Sequence, residues 1–213
     1  MRFDDQRKRL VKDLIHLGIK NEAVLEAFEK VKREEFVLPE YSEYAYQNQP
    51  LPIELNQTIS QPLMIAIMME HLNLQKDDIV LEVGTGSGYQ SALLAYIVKE
   101  VCTIERLDTL SLKARNTLKK LGYNNIYYRI GDGSLGWQKA YPTYTEFSKI
   151  IVSAAASRVP ENLIKQLSDP GTLVIPVGSQ IIQSLVKVIK SGGQVIQTTH
   201  GGCSFVPLVT ESQ

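Results

Sequence analysis

A glycine-rich segment near the middle of the chain constrains the fold more than any other feature. Gly84, Gly86 and Gly88 lie between the apolar run 79–81, which contains β-branched residues, and the largely apolar stretch 91–97. A short apolar run of this kind is typical of a buried strand, and the stretch that follows suits a helix. Glycine allows a sharp turn and lets a ligand approach its N–H groups closely. The segment therefore predicts a strand, a tight turn and a helix that together form a pocket for a nucleotide-like ligand.

The spacing of these glycines favours a methyl donor over a dinucleotide. A dinucleotide fingerprint places its third glycine one position later, where this chain has Tyr89. Glu82 stands at the end of the predicted strand and would repel a pyrophosphate, whereas the sulfonium and amine of S-adenosylmethionine suit a carboxylate. An ordinary glycine-rich strand–helix turn is the alternative, and a nicotinamide oxidoreductase is a weaker one.

Composition narrows the class of protein. The chain has 213 residues, with 23 basic and 23 acidic side chains, and this balance argues against a general nucleic-acid binder. Two cysteines are too few for a disulfide framework and indicate reduced thiols. The first residues lack the apolar core of a signal peptide, and no apolar run is long enough to span a bilayer. We therefore expect a cytoplasmic protein without a membrane partner. The histidines and cysteines show no metal-ligand spacing, so we expect no metal.

Apolar patterning predicts a single domain with two parts. Residues 1–75 are expected to form an N-terminal helical cap of three helices, the second capped by Asn21. Residues 76–213 are expected to form the donor-binding core, an α/β fold of the Rossmann-like type with a mainly parallel, doubly wound sheet. The sequence at 191–193 predicts a hairpin between antiparallel C-terminal strands, and 204–209 is expected to add another antiparallel strand.

Two further acidic residues follow predicted strands. Glu105 lies 21 residues after Gly84, and its carboxylate could accept hydrogen bonds from two ribose hydroxyls. Asp132 stands between two glycines and could accept a hydrogen bond from an adenine amino group. Each residue alone would also suit a solvated strand end or a turn. Ligands of open α/β sheets bind at the carboxyl ends of strands, so their placement favours a binding role.

Several motifs resemble the protein-L-isoaspartate O-methyltransferase family over nearly the whole chain. The glycine motif at 81–89 is shared by many methyltransferases, whereas Gln-Thr-Ile-Ser-Gln-Pro at 57–62 and Phe-Val-Pro-Leu at 205–208 are much more specific. The remaining matches are Leu-Pro-Ile at 51–53, Glu105, Gly-Asp-Gly at 131–133, Pro-Glu-Asn-Leu at 160–163, Gln-Leu at 166–167 and Ile-Pro-Val-Gly at 175–178.

This resemblance implies a repair methyltransferase with a Rossmann-like S-adenosylmethionine-dependent fold. It would move a methyl group from S-adenosylmethionine to the α-carboxylate of L-isoaspartyl residues in damaged proteins and peptides, releasing S-adenosyl-L-homocysteine. The acceptor carboxylate is already ionised at neutral pH, so the protein needs to align the reactants rather than supply a base. We expect a monomer that acts on isoaspartyl polypeptides and not on nucleic acid.

The resemblance also implies the site residues. Ser60 is the implied catalytic residue and would hold the substrate carboxylate, although its position before an apolar run also suits a helix N-cap. Val206, Pro207 and Leu208 would bind the substrate peptide, and an edge strand interrupted by proline is the alternative. The implied cofactor-binding residues are Gln57, Thr58, Ile59, Glu82, Gly84, Thr85, Gly86, Ser87, Gly88, Glu105, Asp132 and Gly133.

Three features depart from the family pattern, of which Asp-Pro-Gly at 169–171 is interpreted as surface variation. Leu63 replaces a usual histidine or aromatic residue, and Asn56 replaces a common glycine. With Leu63, a contact to the donor or the substrate could be lost. With Asn56, the loop before Gln57 could turn differently. One alternative is a methyltransferase of small molecules, which would share the glycine turn, Glu105 and Asp132. A second is a non-catalytic domain that binds the donor as a sensor, which Leu63 and Asn56 would allow.

Overall fold

The computed structural model describes residues 2–179 and 181–210, so the outermost limits of the predicted domain lie outside the described residues. Three helices form the N-terminal part, as predicted: α1 (Phe3–His16), α2 (Glu22–Lys30) and α3 (Pro62–Leu72). Asn21 caps α2, because its side chain accepts a hydrogen bond from the Val24 N–H at 3.1 Å. Between α2 and α3 lie short 3₁₀ turns and a two-stranded antiparallel ladder of β1 (Leu51–Pro52) and β2 (Thr58–Ile59).

The core of the protein is a seven-stranded sheet in the order β5-β4-β3-β6-β7-β8-β9. The first five strands in this order are parallel, and β7, β8 and β9 pair antiparallel, which confirms the predicted sheet. Its strands are β3 (Ile79–Val83), β4 (Glu100–Glu105), β5 (Ile126–Ile130), β6 (Phe147–Val152), β7 (Leu167–Gly178), β8 (Gln183–Ser191) and β9 (Gln194–Cys203). The connecting helices are α4 (Tyr89–Ile97), α5 (Asp108–Lys120) and α6 (Glu161–Lys165).

The strand order reverses at β3. Val83 pairs with Ile104 of β4 on one side and with Val152 of β6 on the other. In sheets of this type the crevice beyond such a reversal is the usual ligand site. The register therefore brings the glycine turn after β3, the end of β4 and the end of β6 to one edge of the sheet.

Apolar residues cover both faces of the sheet in two clusters. Alternation along β3 puts Val80 in a cluster with helices α1 to α4, and Leu81 and Val83 in the cluster on the opposite face. The cap helices thus share a core with the sheet. Within the described residues, no helix combines the length and the apolar character that crossing a membrane requires.

The predicted strand at 204–209 is wrong. Within the described tail, Pro207 makes an isolated parallel bridge to Ala155. The Ala155 N–H donates to the Val206 carbonyl, and the Leu208 N–H donates to the Ala155 carbonyl, both at 2.8 Å. Proline has no N–H to give a ladder, so it interrupts pairing here. The tail instead crosses the carboxyl ends of the strands.

The predicted hairpin between β8 and β9 is confirmed. Gly192 and Gly193 form its two-residue turn with φ values of 60° and 76°, a conformation that glycine adopts readily. The Asp169 carboxylate accepts hydrogen bonds from both of their N–H groups, at 2.9 and 2.6 Å. These two bonds lower the pKa of Asp169.

Candidate active site

A cleft of about 280 Å³ opens at the carboxyl ends of the central strands, and we call it the strand-end cleft. The turn after β3, the ends of β4 and β6, the loop before α3 and the C-terminal tail all contribute to its walls. Its lining consists of 56–60, 83–87, 104–107, 153–154 and 206–209, with Ile65, Gln90, Leu110, Gly131 and Gly133. Segments that are distant in sequence therefore meet in one site.

Most of the predicted site residues lie in this cleft. Those that line it are Gln57, Thr58, Ile59, Ser60, Gly84, Thr85, Gly86, Ser87, Glu105, Gly133, Val206, Pro207 and Leu208. Glu82, Gly88 and Asp132 are not part of its lining. Each of these three residues has a different structural role beside the cleft.

Glu105 connects two strand ends at the cleft. One carboxylate oxygen accepts the Gly86 N–H at 2.9 Å, and the other accepts the Leu107 N–H at 3.0 Å. A carboxylate offers about four lone-pair sites, and these bonds occupy two of them. The side chain can therefore hold the glycine turn and also accept hydrogen bonds from a ligand.

Glu82 lies beneath the cleft rather than in it. Because side chains alternate along β3, Glu82 points to the face covered by α4, and it is fully buried. Its carboxylate accepts hydrogen bonds from Ser91 Oγ, from Thr103 Oγ1 at 2.7 Å and from Gln90 Nε2 at 3.1 Å. Burial raises the pKa of Glu82 to about 7. The expected direct contact with the donor is not supported by this placement.

The buried carboxylate instead organises side chains that line the cleft. Gln90 Nε2 also donates to Ser153 Oγ at 2.8 Å, and both of these residues face the cleft. The hydroxyls of Thr103 and Thr85 lie 2.6 Å apart, which links Glu82 to the turn after β3. Glu82 is therefore connected to the binding surface through its hydrogen-bonded neighbours.

Gly88 serves the packing of two helices. It has a φ of 88°, and a Cβ atom there would lie 3.0 Å from Leu118 Cδ1 and 3.2 Å from Ala114 Cβ of α5. A side chain at this position would push α5 away from the start of α4. Gly88 thus shapes the turn without facing the cleft.

Asp132 caps a short turn, which agrees with the alternative interpretation of this residue as part of a turn. Its side chain accepts the Ser134 N–H at 2.8 Å at the start of the 3₁₀ turn Gly133–Leu135. The flanking Gly131 and Gly133 line the cleft, so the residue lies directly beside it. A Cβ atom on Gly133 would lie 2.2 Å from Val83 Cγ1, so only glycine fits against the end of β3.

Ser60 lines the cleft and does not cap α3. That helix begins at Pro62, which has no N–H, and the next N–H, of Leu63, donates to Asn48 Oδ1 at 3.0 Å. The capping interpretation of Ser60 is therefore wrong. The Ser60 carbonyl accepts a hydrogen bond from Arg33 Nη2 at 2.9 Å, which fixes the backbone of this loop.

Asn56 and Leu55 shape the loop that precedes the motif of Ser60. Both have a φ of 57°, in the left-handed region that L-residues seldom adopt. Asn56 lines the cleft, and Glu54 pairs with Lys113 of α5. Asn56 therefore adopts the positive φ that the usual glycine would adopt at this position. Leu63 lies outside the lining of the cleft.

Several lining residues were not anticipated from the sequence. Ser153 and Ala154 directly follow β6, so the strand-end argument that identified Glu105 would also have found them. Ile65 and Leu110 are apolar helix residues that sequence alone does not distinguish from core positions. They enter the site because α3 and α5 pack beside the strand ends.

A second opening of about 770 Å³ adjoins the first, and we call it the neighbouring cleft. Pro207 and Leu208 line both openings. The far side of the neighbouring cleft includes the polar residues Arg158, Glu161 and Asn162. The tail segment therefore separates an inner cleft from an outer one. Among the described residues, no cluster of three or more histidine, cysteine or carboxylate side chains could hold a metal ion.

A family model and the similar proteins of known family all indicate the same family. The family model of protein-L-isoaspartate(D-aspartate) O-methyltransferase matches residues 5–213. The protein-L-isoaspartate O-methyltransferase of Petrotoga mobilis is 49% identical over 99% of each chain, and that of Dictyoglomus turgidum is 47% identical over 99% of this chain and 94% of the relative.

A solved structure agrees with the fold. A Plasmodium falciparum protein assigned as a protein-L-isoaspartate O-methyltransferase was crystallised with S-adenosyl-L-homocysteine. It is 26% identical, its match covers 95% of this chain and 98% of that chain, and the TM-score is 0.84. The chain belongs to the protein-L-isoaspartate (D-aspartate) O-methyltransferase family.

Proposed function

We infer that the protein is a repair enzyme that transfers a methyl group from S-adenosylmethionine to the α-carboxylate of L-isoaspartyl residues. The observation that carries this function is the family match over residues 5–213, which includes every segment of the strand-end cleft. The substrates are isoaspartyl residues in damaged proteins and peptides.

The cleft has the chemistry to hold the donor. Ile59, Ile65 and Leu110 provide apolar surface for a nucleoside, while Glu105 provides acceptors for ribose hydroxyls. Gln57 and Thr58, on the loop before α3, line the cleft beside the glycine turn of 84–87. When bound, S-adenosylmethionine supplies a methyl group activated by its sulfonium. Asp132, next to the lining glycines, is proposed to accept from the adenine amino group.

The role of Ser60 follows from what the acceptor requires. An isoaspartyl carboxylate is ionised at neutral pH and is already nucleophilic, so proton removal is unnecessary. Among the described residues that line the cleft there is no histidine, and this fits a reaction that depends on alignment. Ser60 donates a hydrogen bond to the carboxylate and holds one oxygen in line with the methyl group.

The tail segment guides the acceptor polypeptide. The Leu208 N–H already donates to the Ala155 carbonyl, and the Val206 carbonyl already accepts the Ala155 N–H, so the Pro207 carbonyl is the tail acceptor that no backbone bond to Ala155 uses. In extended backbone, successive carbonyls point to opposite sides, which directs the Pro207 carbonyl away from Ala155. We propose that this carbonyl binds the substrate backbone, with the neighbouring cleft receiving the flanking residues.

The direct test is methyl transfer to matched peptides. Radiolabelled S-adenosylmethionine is incubated with the protein and with the isoaspartyl or aspartyl form of one peptide. We expect methylation of the isoaspartyl form and essentially none of the aspartyl form. Equal labelling of the two peptides, or labelling of neither, would rule out the proposed acceptor.

Three broader properties belong to the same proposal. We propose that the chain acts as one domain, which the apolar core shared by the cap helices and the sheet supports, and that it acts as a monomer. The absence of net charge supports activity without nucleic acid. The free thiols of Cys102 and Cys203 support a cytoplasmic location.

A further inference from the structure

Arg33 is a buried cation that contacts the loop of Ser60 from outside the strand-end cleft. It lies in the 3₁₀ turn Arg33–Phe36, and its exposed fraction is 0%. Its Nη2 donates a hydrogen bond to the Ser60 carbonyl at 2.9 Å. The bond links the turn that follows α2 to the backbone of the proposed catalytic residue.

The same guanidinium also contacts the residue that follows the glycine turn. Its central carbon lies 4.8 Å from the centre of the Tyr89 ring, which is 1% exposed. Tyr89 is the first residue of α4 and directly follows the glycine turn. A cation over an aromatic face is attracted to it, most strongly when water is excluded. Arg33 therefore connects the loop of Ser60 with the start of α4.

Stability alone does not explain this arginine. Within the described residues, neither its Nε nor its Nη1 has a hydrogen-bond partner. Burial lowers the pKa of Arg33 to about 10, so the group stays charged at neutral pH. Burying a charge with incomplete hydrogen bonding is unfavourable, and apolar residues often fill such positions without loss of stability. The planar guanidinium does offer a rigid geometry that can satisfy two contacts at once.

We propose that Arg33 is a positioning residue that fixes Ser60 relative to the glycine turn. This inference rests on the proposed function, because Ser60 and the turn are the parts that hold acceptor and donor. The planar cation acts as a spacer between them. It touches neither reactant, and its effect on methyl transfer passes through the backbone of Ser60.

The first test needs no substrate. Hydrogen exchange of the amides at 57–61 is compared in the wild-type protein, Arg33→Met and the control Arg7→Met. Arg7 is an arginine of the same cap with an exposed fraction of 9%, and it contacts Tyr46, Asp4 and Glu34. Because the Tyr46 hydroxyl also accepts the Arg33 backbone N–H at 3.2 Å, this control disturbs the surroundings of Arg33 while the Arg33 guanidinium remains in place. We expect exchange in this segment to be about tenfold faster in Arg33→Met, on the scale of one charged hydrogen bond. Wild-type exchange is expected there in the control.

The second test uses kinetics on the isoaspartyl peptide. Arg33→Met is expected to lower kcat by about 10- to 100-fold, the scale for misplacing a reacting group. The Kd of S-adenosylhomocysteine should change much less. Arg33→Lys should recover part of the kcat, since a lysine can reach the carbonyl but lacks the planar group that also covers Tyr89.

A purely structural role for Arg33 gives a different result. In that case Arg33→Met would match Arg7→Met in both exchange and kcat per folded molecule, which would overturn the proposal. If Arg33→Met does not fold, Arg33→Lys is compared with the control in the same two tests. Wild-type exchange and kcat in Arg33→Lys would then overturn it. An inactive wild-type protein would refute the proposed function, while the exchange comparison would still decide the role of Arg33 in ordering the loop.

Discussion

The carboxylate of Glu105 accepts the backbone N–H of Gly86 at 2.9 Å, so the end of β4 holds the turn that follows β3. The second oxygen accepts the Leu107 N–H at 3.0 Å and fixes the start of the next loop. One side chain thus orders both strand ends that frame the strand-end cleft. The same carboxylate retains acceptor capacity toward a ligand.

Glu105→Gln is expected to weaken donor binding. The amide keeps the shape of the side chain but loses the charge and one acceptor that ribose hydroxyls require. The Kd of S-adenosylhomocysteine, measured by calorimetry, should rise by about 10- to 100-fold, as for loss of hydrogen bonds to a charged group. Glu100→Gln is the matched control, because Glu100 lies at the other end of β4 and accepts from the Tyr144 hydroxyl at 2.5 Å. An unchanged Kd in Glu105→Gln would refute the ribose role.

Ser60→Ala is expected to slow methyl transfer and to leave donor affinity unchanged. The variant keeps the backbone carbonyl that Arg33 holds but loses the hydroxyl that aligns the acceptor. We expect kcat on an isoaspartyl peptide to fall by about 10- to 100-fold. Ser42→Ala, in the 3₁₀ turn Pro39–Tyr44, is the control and should behave as wild type. A weaker donor Kd with normal turnover would contradict the assignment.

Local patterns were enough to predict the fold and the edge of the sheet where the site lies. The apolar run at 79–81, the glycines after it and the acidic residues at strand ends each specify backbone direction over a few residues. Parallel strands place their carboxyl ends together, so Glu105 and the glycine turn meet without further information. The family motifs added the loop of Ser60 and the tail.

Long-range contacts account for what the sequence did not predict. Asn48 caps α3 from 15 residues before Leu63, and nothing in the local pattern at Ser60 indicates this. Glu82 was expected to contact the donor, but Gln90 and Ser91 of α4 and Thr103 of β4 surround its buried carboxylate, which depends on how these elements pack. Pro207 pairs with Ala155 because the tail crosses the strand ends, which depends on the packing of the whole sheet.

Glu82 should make stability depend on pH in an unusual direction. Its pKa of about 7 lies above that of an exposed glutamate, so between about pH 5 and pH 7 the folded protein binds more protons than the unfolded chain. The free energy of unfolding should therefore fall as pH rises through this window, by about 2 kcal/mol from this residue.

The comparison that isolates this effect is wild type against Glu82→Gln. Urea unfolding is measured for both proteins from pH 5 to pH 8, and all other titrating groups are common to the two. We expect the stability of wild type relative to Glu82→Gln to decrease across this range. Parallel stability curves would mean that Glu82 titrates at its ordinary pKa.

Gly133→Ala is expected to destabilise the end of β3. The added Cβ would lie 2.2 Å from Val83 Cγ1, and such overpacking typically costs about 1–3 kcal/mol. Gly202→Ala is the control, since the nearest atom to its Cβ would be the Gln183 carbonyl at 3.9 Å. Its effect should stay within about 0.5 kcal/mol.

The clash can be verified with a second substitution. Val83→Ala combined with Gly133→Ala removes the methyl group that the new Cβ would meet, so the double variant should be more stable than the sum of the single changes predicts. Unfolding in urea gives the three free energies. Additive effects would show that the contact between Gly133 and Val83 does not limit this site.

The most direct measurement is a crystal structure with S-adenosylhomocysteine and an isoaspartyl peptide. We expect the nucleoside in the strand-end cleft with its ribose hydroxyls about 2.5–3.0 Å from the Glu105 carboxylate. The isoaspartyl carboxylate should lie beside the sulfur, within reach of the Ser60 hydroxyl, and the peptide should pass along Pro207. A compound bound outside this cleft, or a sulfur with no space beside it for the acid, would contradict the proposed alignment of donor and acceptor.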